Sequence, residues 1–208
     1  NMSGIVSAPI RMPIPSTGMP AAISTGTITM IEPAGMPGTE NDVMTAARVQ
    51  YDFWDAEPGY YINGTYLGDK DILAVGVAAN KVNGDTTTNA DFLMEKKIAG
   101  GGAFTVEGEY IKYDKLGGYG ANEDSSWFLT SSYLFPSAVG PGKVEVPGKF
   151  GTSKYNAPSV GYDTTEVNLN YLLKGFNARV SLFYLGKSFD APNSDVQQIG
   201  VGVQLMTL

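Results

Sequence analysis

The chain has 208 residues, a formal net charge of −7, and neither cysteine nor histidine. This composition excludes disulfide frameworks, zinc sites built on cysteine or histidine, and Ser-His-Asp or Cys-His catalysis. The acidic balance argues against nucleic-acid binding, because proteins that bind nucleic acids carry a basic surface. Hydrophobic residues make up 43% of the chain, which is too apolar for a disordered protein. We therefore expect one folded domain that is not an enzyme and holds no cofactor or metal.

The first 43 residues differ in composition from the rest. They contain six of the 12 prolines and five of the eight methionines, with hardly an aromatic residue. An uncharged stretch between Arg11 and Glu32 is nearly long enough to span a membrane as a helix. Three prolines inside it exclude that helix, since proline removes a helical hydrogen bond. We predict an irregular loop over residues 1–43.

From Met44 onward, segments of about ten residues alternate between apolar and polar side chains. Clusters of Gly, Asn, Asp and Pro separate them, which is typical of strands joined by turns. In the clearest segment, residues 176–185, Val180 and Leu182 alternate with Arg179. The pattern predicts an all-β protein of about nine antiparallel strands over residues 44–208, with tight turns at residues 100–102 and 174–175.

Two architectures are compatible with strands that are apolar on one face. A soluble sandwich buries the apolar face against a second sheet, whereas an outer-membrane barrel turns it to lipid and lines a lumen with the polar face. Aromatic residues near strand ends, alternating short and long connections, and charges in mid-strand favour the barrel. A third possibility is a barrel of eight strands after a long extension, with residues 149–156 as a loop.

Five segments carry a resemblance to a known family: residues 47–61, 64–76, 91–95, 133–136 and 198–205. Together they resemble the C-terminal half of outer-membrane porins of the phosphate-selective porin O and P type in Gram-negative bacteria. The resemblance implies an antiparallel up-and-down transmembrane barrel of 16 strands, usually trimeric, in the bacterial outer membrane. Its implied partners are outer-membrane lipid, two further copies of the chain, small hydrophilic solutes and the remaining strands of the barrel.

The resemblance also gives an orientation and a strand count. If the last strand runs inward, the tight turns at residues 100–102 and 174–175 are periplasmic, and residues 1–43 form an extracellular loop. An odd number of strands cannot close an up-and-down barrel, because the first and last strands must be antiparallel. We therefore expect residues 44–208 to be the C-terminal portion of a larger barrel.

On this interpretation, charged residues on the polar faces line a pore. These are Arg48, Asp52, Asp91, Glu95, Glu107, Glu109, Glu166, Arg179 and Lys187. Acidic residues outnumber basic ones among them, and rings of carboxylates favour cations. The chain has only three arginines, so we predict a weakly cation-preferring diffusion channel without phosphate selectivity. The alternative function is a soluble or surface-displayed β-sandwich that serves as a structural subunit or adhesin.

Glu107 and Glu109 lie two residues apart on one face of one strand. A pair of carboxylates is the machinery of glycoside hydrolysis, in which one acts as acid and the other as base or nucleophile. A charged lumen wall explains the same pair without any catalysis, and we favour that interpretation.

Overall fold

The computed structural model describes residues 21–29, 43–57, 65–82, 85–114, 124–155, 161–191 and 194–206. Ten strands form one sheet in chain order, and each strand is antiparallel to the next. The strands are β1 (Ala21–Thr29), β2 (Val43–Asp52), β3 (Ile72–Val82), β4 (Asp85–Ile98), β5 (Gly102–Tyr113), β6 (Asp124–Val139), β7 (Gly142–Tyr155), β8 (Tyr162–Leu172), β9 (Ala178–Phe189) and β10 (Val196–Leu205). The all-β, antiparallel, up-and-down prediction is confirmed.

Strand β1 lies where we expected only an irregular loop. It pairs with β2 over nine residues, from Ala21 opposite Tyr51 to Thr29 opposite Val43. The window Ala21–Thr29 has no proline and is rich in threonine and isoleucine, whose branched side chains favour strands. The surrounding prolines hid this local preference. The other parts of residues 1–43, except Val43 itself, lie outside the described residues.

Ten strands are an even number, and an up-and-down barrel needs an even number to close. The strand count by itself therefore gives no reason to expect further strands. The two edges of the sheet, however, bear on whether further strands pair with it. Strands β1 and β10 are the two ends of the strand order and are not neighbours of each other. The sheet is therefore open across the described residues, and each edge strand has one side without a pairing strand.

The strands are long, with nine to sixteen residues each. An average strand of a globular protein has about five or six residues. Strand β6 continues through Pro136, and its register with β7 shifts between Leu134 and Ala138. Strand β7 includes Pro147, and its pairing with β8 is interrupted beside that proline.

Three short connections lie at one end of the sheet. The predicted turns between β4 and β5 and between β8 and β9 are present, with positive φ angles at Gly100, Gly101 and Gly175. A third turn, residues 140–141 between β6 and β7, was not predicted. The long connection between β2 and β3, residues 53–71, lies at this same end because it also follows an even-numbered strand.

The two faces of the sheet differ in a way that reverses the usual pattern of burial. Leu169 and Leu182 are direct cross-strand partners, and each is 49% exposed. Val201, the next partner across the sheet, is 69% exposed. On the opposite face, Glu95 is 0% exposed and Asp52 2%. The apolar face thus faces outward, whereas the buried side chains lie on the polar side.

The described strands form a single sheet, so no second sheet covers the apolar face within this part of the chain. No helix among the described residues is both long and apolar enough to cross a membrane.

Candidate functional site

All nine residues predicted to line a lumen lie on the same face of the sheet. Residues directly opposite each other on antiparallel strands share a face, as do residues two apart on one strand. Asp91 is opposite Glu109, for example, and Glu166 is opposite Lys149. Following such pairs from β2 to β9 links the complete set: Arg48, Asp52, Asp91, Glu95, Glu107, Glu109, Glu166, Arg179 and Lys187.

This polar face is concave. Ala103 of β5, Leu134 of β6 and Leu172 of β8 belong to one buried cluster. Strands β5 and β8 are three positions apart, which corresponds to about 14 Å in a flat sheet. Leu134 lies between the other two in strand order, and Leu67 packs against the same cluster from the polar side. A cavity of about 600 Å³ lies in this concavity, lined by side chains of β5 to β10 that include Glu107, Glu166 and Arg179.

Arg48 and Asp91 form a two-pronged ion pair across strand β3. The Arg48 Nη2 atom donates to Asp91 Oδ1 at 2.7 Å, and Nη1 donates to Oδ2 of the same carboxylate. The guanidinium passes over Gly76, where a Cβ atom would lie 2.3 Å from Nη2. Gly76 thus leaves room for the ion pair to join β2 and β4. Because Asp91 is paired in this way, its charge is largely compensated by Arg48. We call the curved sheet of strands β2 to β10 the wall.

Two of the predicted acidic residues are buried rather than exposed to a lumen. Asp52 accepts hydrogen bonds from Gln50 Nε2 at 3.0 Å and from the backbone N–H of Glu57 at 3.1 Å. Glu95 accepts four hydrogen bonds through its two carboxylate oxygens. Both residues therefore lie on the predicted face of the sheet but are enclosed there. They hold the wall and a neighbouring segment together.

The remaining charges face the concavity without close compensation. Ion pairs within 4 Å among the described residues are limited to Arg48–Asp91 and Lys96–Asp71. The half-buried carboxylates of Glu107 and Glu109 lie side by side on β5, where Asn89 Nδ2 donates to Glu109 Oε1. Farther round the wall, Arg179 and Lys187 both belong to β9. The acidic pair of β5 and the basic pair of β9 therefore lie on different strands.

Strand β7 contributes charged residues to this face that were not among the predicted residues. Lys149 of β7 lies opposite Glu166, with its Nζ atom 4.8 Å from the centroid of the Phe128 ring. Glu145 of the same strand is buried and accepts a hydrogen bond from Asn170 Nδ2 at 2.9 Å. Val144, Val146 and Phe150 alternate with Lys143, Glu145 and Lys149, so the period-two signal existed. The interruption at Pro147 and Gly148 concealed it.

A segment of the long connection between β2 and β3 folds back onto the polar face. Tyr66 packs against the buried cluster of Ile72, Ala74 and Leu93, and Leu67 packs against the cluster that joins β5, β6 and β8. Leu67 has a φ of 54°. Among the described residues, it is the only one other than glycine with a positive φ. We call residues 65–68 the inner segment. Nothing in its short, turn-like sequence indicates where it would dock.

The phenol of Tyr66 contacts the buried carboxylate of Glu57. Its hydroxyl donates to Glu57 Oε1 at 2.5 Å, and Gln50 Nε2 donates to Glu57 Oε2 at 3.1 Å. Burial, followed by the hydrogen bond to Glu57 and the charge of that carboxylate, raises the pKa of Tyr66 well above its ordinary value. The neutral phenol is therefore the form that fits this site.

This contact predicts a pH dependence. Since the pKa of Tyr66 is raised by folding, its contribution to docking is complete below the ordinary tyrosine pKa of about 10 and is lost as the pH rises through the higher folded value. We expect the difference in ultraviolet absorbance between the wild type and Tyr66→Phe to reveal one tyrosine that ionises later than the others. A difference spectrum that titrates near pH 10 would show that Tyr66 is not held by Glu57.

The arrangement combines a curved sheet, an open concavity and charges of both signs on the concave face. No group of three or more acidic side chains that could hold a metal ion occurs among the described residues. No family model, curated protein or solved structure matches this chain.

Proposed function

We propose that this chain forms part of the wall of an outer-membrane porin in a Gram-negative bacterium, of the type resembling the phosphate-selective porins O and P. The channel is passive and carries small hydrophilic solutes and ions. The observation that carries this proposal is the reversed burial of the sheet. Aliphatic side chains such as Leu182 and Val201 point outward, while carboxylates such as Glu95 are enclosed.

In water, the outward apolar face of β2 to β10 is unfavourable, because each exposed aliphatic side chain forfeits part of the about 1.5–3 kcal/mol that full burial contributes. In hydrocarbon the same face is at its most stable. The strand lengths agree with this environment, since about nine to eleven tilted residues cross a bilayer core. Strands of nine to sixteen residues meet that requirement throughout the sheet.

Aromatic pairs on the outer face support the same environment. Phe104 lies opposite Tyr133 toward the tight-turn end, and Tyr110 lies opposite Trp127 toward the other end. All four rings are partly exposed, at 36% to 48%. The six residue-to-residue steps from Phe104 to Tyr110 span about 20 Å along the strand. Aromatic residues that border an apolar band on both sides are typical of membrane barrels.

The open edges support the proposal that further strands complete the barrel. An edge strand in lipid leaves backbone N–H and C=O groups unsatisfied, which costs several kcal/mol for each group. Strands β1 and β10 therefore require pairing partners in a membrane. A barrel of 16 strands places six further strands between them, since ten are described here. Outer-membrane lipid covers the outside, and three copies associate as a homotrimer.

The alternative, a soluble or surface-displayed sandwich that serves as an adhesin or structural subunit, needs a second sheet over the apolar face. The described strands belong to one sheet, and Val201 and Leu182 stay exposed. A sandwich also leaves its charged face in bulk water, whereas Glu95, Glu145 and Asp52 are buried here. We therefore favour the porin.

Reconstitution of the full-length protein in a planar bilayer tests the function. We expect stepwise ion conductance with a weak preference for cations, and no requirement for an energy source. Denatured protein and a vesicle-only sample serve as controls. A protein that stays soluble without detergent and adds no conductance would overturn the porin and favour the sandwich.

A further inference from the structure

Glu95 is the most completely enclosed charge of the wall, and most of what encloses it comes from the inner segment. Its Oε2 atom accepts hydrogen bonds from Thr65 Oγ1 at 2.8 Å, from Tyr66 N at 2.7 Å and from Thr105 Oγ1 at 2.9 Å. Its Oε1 atom accepts from Gly68 N at 2.7 Å. Three of these four donors belong to residues 65–68.

The backbone of the inner segment is shaped around this carboxylate. Leu67 and Gly68 have φ angles of 54° and 83°, and the Leu67 N–H bonds to Thr65 Oγ1 at 3.0 Å. This conformation turns the N–H groups of Tyr66 and Gly68 toward one point, in the manner of a backbone anion site. A non-glycine residue at positive φ costs about 1–3 kcal/mol, so surrounding interactions must hold it. The hydrogen bonds to Glu95 do so.

The inner segment lies in the concavity and reaches well across it. Tyr66 packs on side chains of β3 and β4, and Leu67 on the cluster formed by β5, β6 and β8. Thr65 belongs to the lining of the 600 Å³ cavity, beside Glu107 and Arg179. Residues attached at the tight-turn end of the sheet thus occupy space that would otherwise belong to the lumen.

We propose that the inner segment is a constriction of the pore and that Glu95 is the positioning residue that anchors it. This inference rests on the proposed porin function. The flanks of the connection are tied to the end of the sheet as well, since Asp71 accepts from Lys96 Nζ at 2.7 Å and from the Lys97 N–H at 2.8 Å. The ammonium group of Lys96 and the hydrogen bond from the Lys97 N–H hold the pKa of the Asp71 carboxyl below its usual range. Loss of hydrogen bonds to Glu95 therefore weakens the docking of the segment, while the connection stays attached at Asp71.

The substitution Glu95→Gln tests the anchor with almost no change in size. In glutamine, an NH₂ group replaces one carboxylate oxygen, and this group donates hydrogen bonds but cannot accept them. At least one N–H or O–H donor that bonds to Glu95 in the wild type therefore loses its acceptor. Hydrogen bonds to charged groups contribute about 1.5–3 kcal/mol, so the detached population rises by roughly tenfold or more. We expect single-channel recordings to show a second, larger conductance level, visited at least about ten times more often than in the wild type.

A cross-link separates release of the segment from other effects of the substitution. The chain has no cysteine, and Thr65 Oγ1 lies 3.4 Å from Thr105 Oγ1. In the Glu95→Gln background, a Thr65→Cys/Thr105→Cys pair should form a disulfide that returns the segment to its place. Oxidation is expected to abolish the larger conductance level, and reduction to restore it.

The matched control is Glu145→Gln. Glu145 is buried on the same concave face and accepts a hydrogen bond from Asn170. This control removes a buried charge that bonds to Asn170 rather than to the inner segment, so its conductance is expected to stay close to that of the wild type. Amide hydrogen exchange gives a second readout, since Tyr66 and Gly68 should exchange faster in Glu95→Gln alone. Where that variant does not insert, Thr105→Val removes one bond to Glu95 and should give a smaller increase.

The outcomes distinguish the inference from the function on which it rests. A conducting wild type with an unchanged Glu95→Gln variant would overturn the constriction and leave the porin intact. Faster exchange at Tyr66 and Gly68 with unchanged conductance would show that Glu95 anchors a segment that does not limit the pore, which also overturns the inference. A wild type that does not conduct removes the function and this inference together.

Discussion

Replacing Leu169 with arginine is expected to destabilise the membrane-inserted protein by about 2–4 kcal/mol, the cost of a basic residue on the lipid face near mid-bilayer. Leu169 lies near the middle of the apolar face, opposite Leu182 of β9, and each side chain is 49% exposed. If water covered this face, the same substitution at an exposed site would change the stability by only about 0.5 kcal/mol. Urea-dependent unfolding from lipid vesicles measures the difference.

The neighbouring residue provides a matched control. Asn168 belongs to the same strand, points to the concave face and borders the 600 Å³ cavity with Glu166. Asn168→Arg adds the same charge and bulk one position away, beside a carboxylate, so we expect almost no loss of stability. Equal small effects at both positions would show that the apolar face is in water, and the membrane environment would then be wrong.

The second large effect concerns ion selectivity. Substituting both Glu107→Gln and Glu109→Gln is expected to lower the permeability ratio of cations to anions several-fold. A unit charge about 7 Å from a hydrated ion contributes about 0.6 kcal/mol at the dielectric constant of water, a factor of nearly three for each residue. These two carboxylates carry the cation preference in our proposal because Asp91 is paired with Arg48, while Glu95 and Glu145 are enclosed.

Reversal potentials in a salt gradient measure that ratio. Lys149→Gln is expected to shift it in the opposite direction, since its ammonium group lies on the same face, opposite Glu166. Glu145→Gln, which neutralises a buried carboxylate, should leave the reversal potential nearly unchanged. A double variant with wild-type selectivity would mean that Glu107 and Glu109 do not face the path of the ions.

The strand pattern was largely predictable because it depends on neighbouring residues alone. Period-two alternation places Arg179 and Val180 on opposite faces whatever the rest of the chain does, and the structure agrees. Glycines with positive φ likewise mark the turns at Gly100 and Gly175. Strand β1 was missed because prolines on both sides outweighed a short stretch of branched residues. The eight-stranded alternative treated residues 149–156 as a loop, but residues 149–155 belong to strand β7, so that alternative is wrong.

The sequence alone therefore determined the strands, the faces and the assignment of all nine charged residues to one side, since these follow from local geometry and the two-residue repeat. The tertiary structure decided what each charge does there. Asp91 is compensated because Gly76 on an intervening strand leaves room for Arg48, and Glu95 is enclosed because residues more than twenty-five positions away fold over it. Such contacts depend on the curvature of the whole sheet, which no single strand specifies.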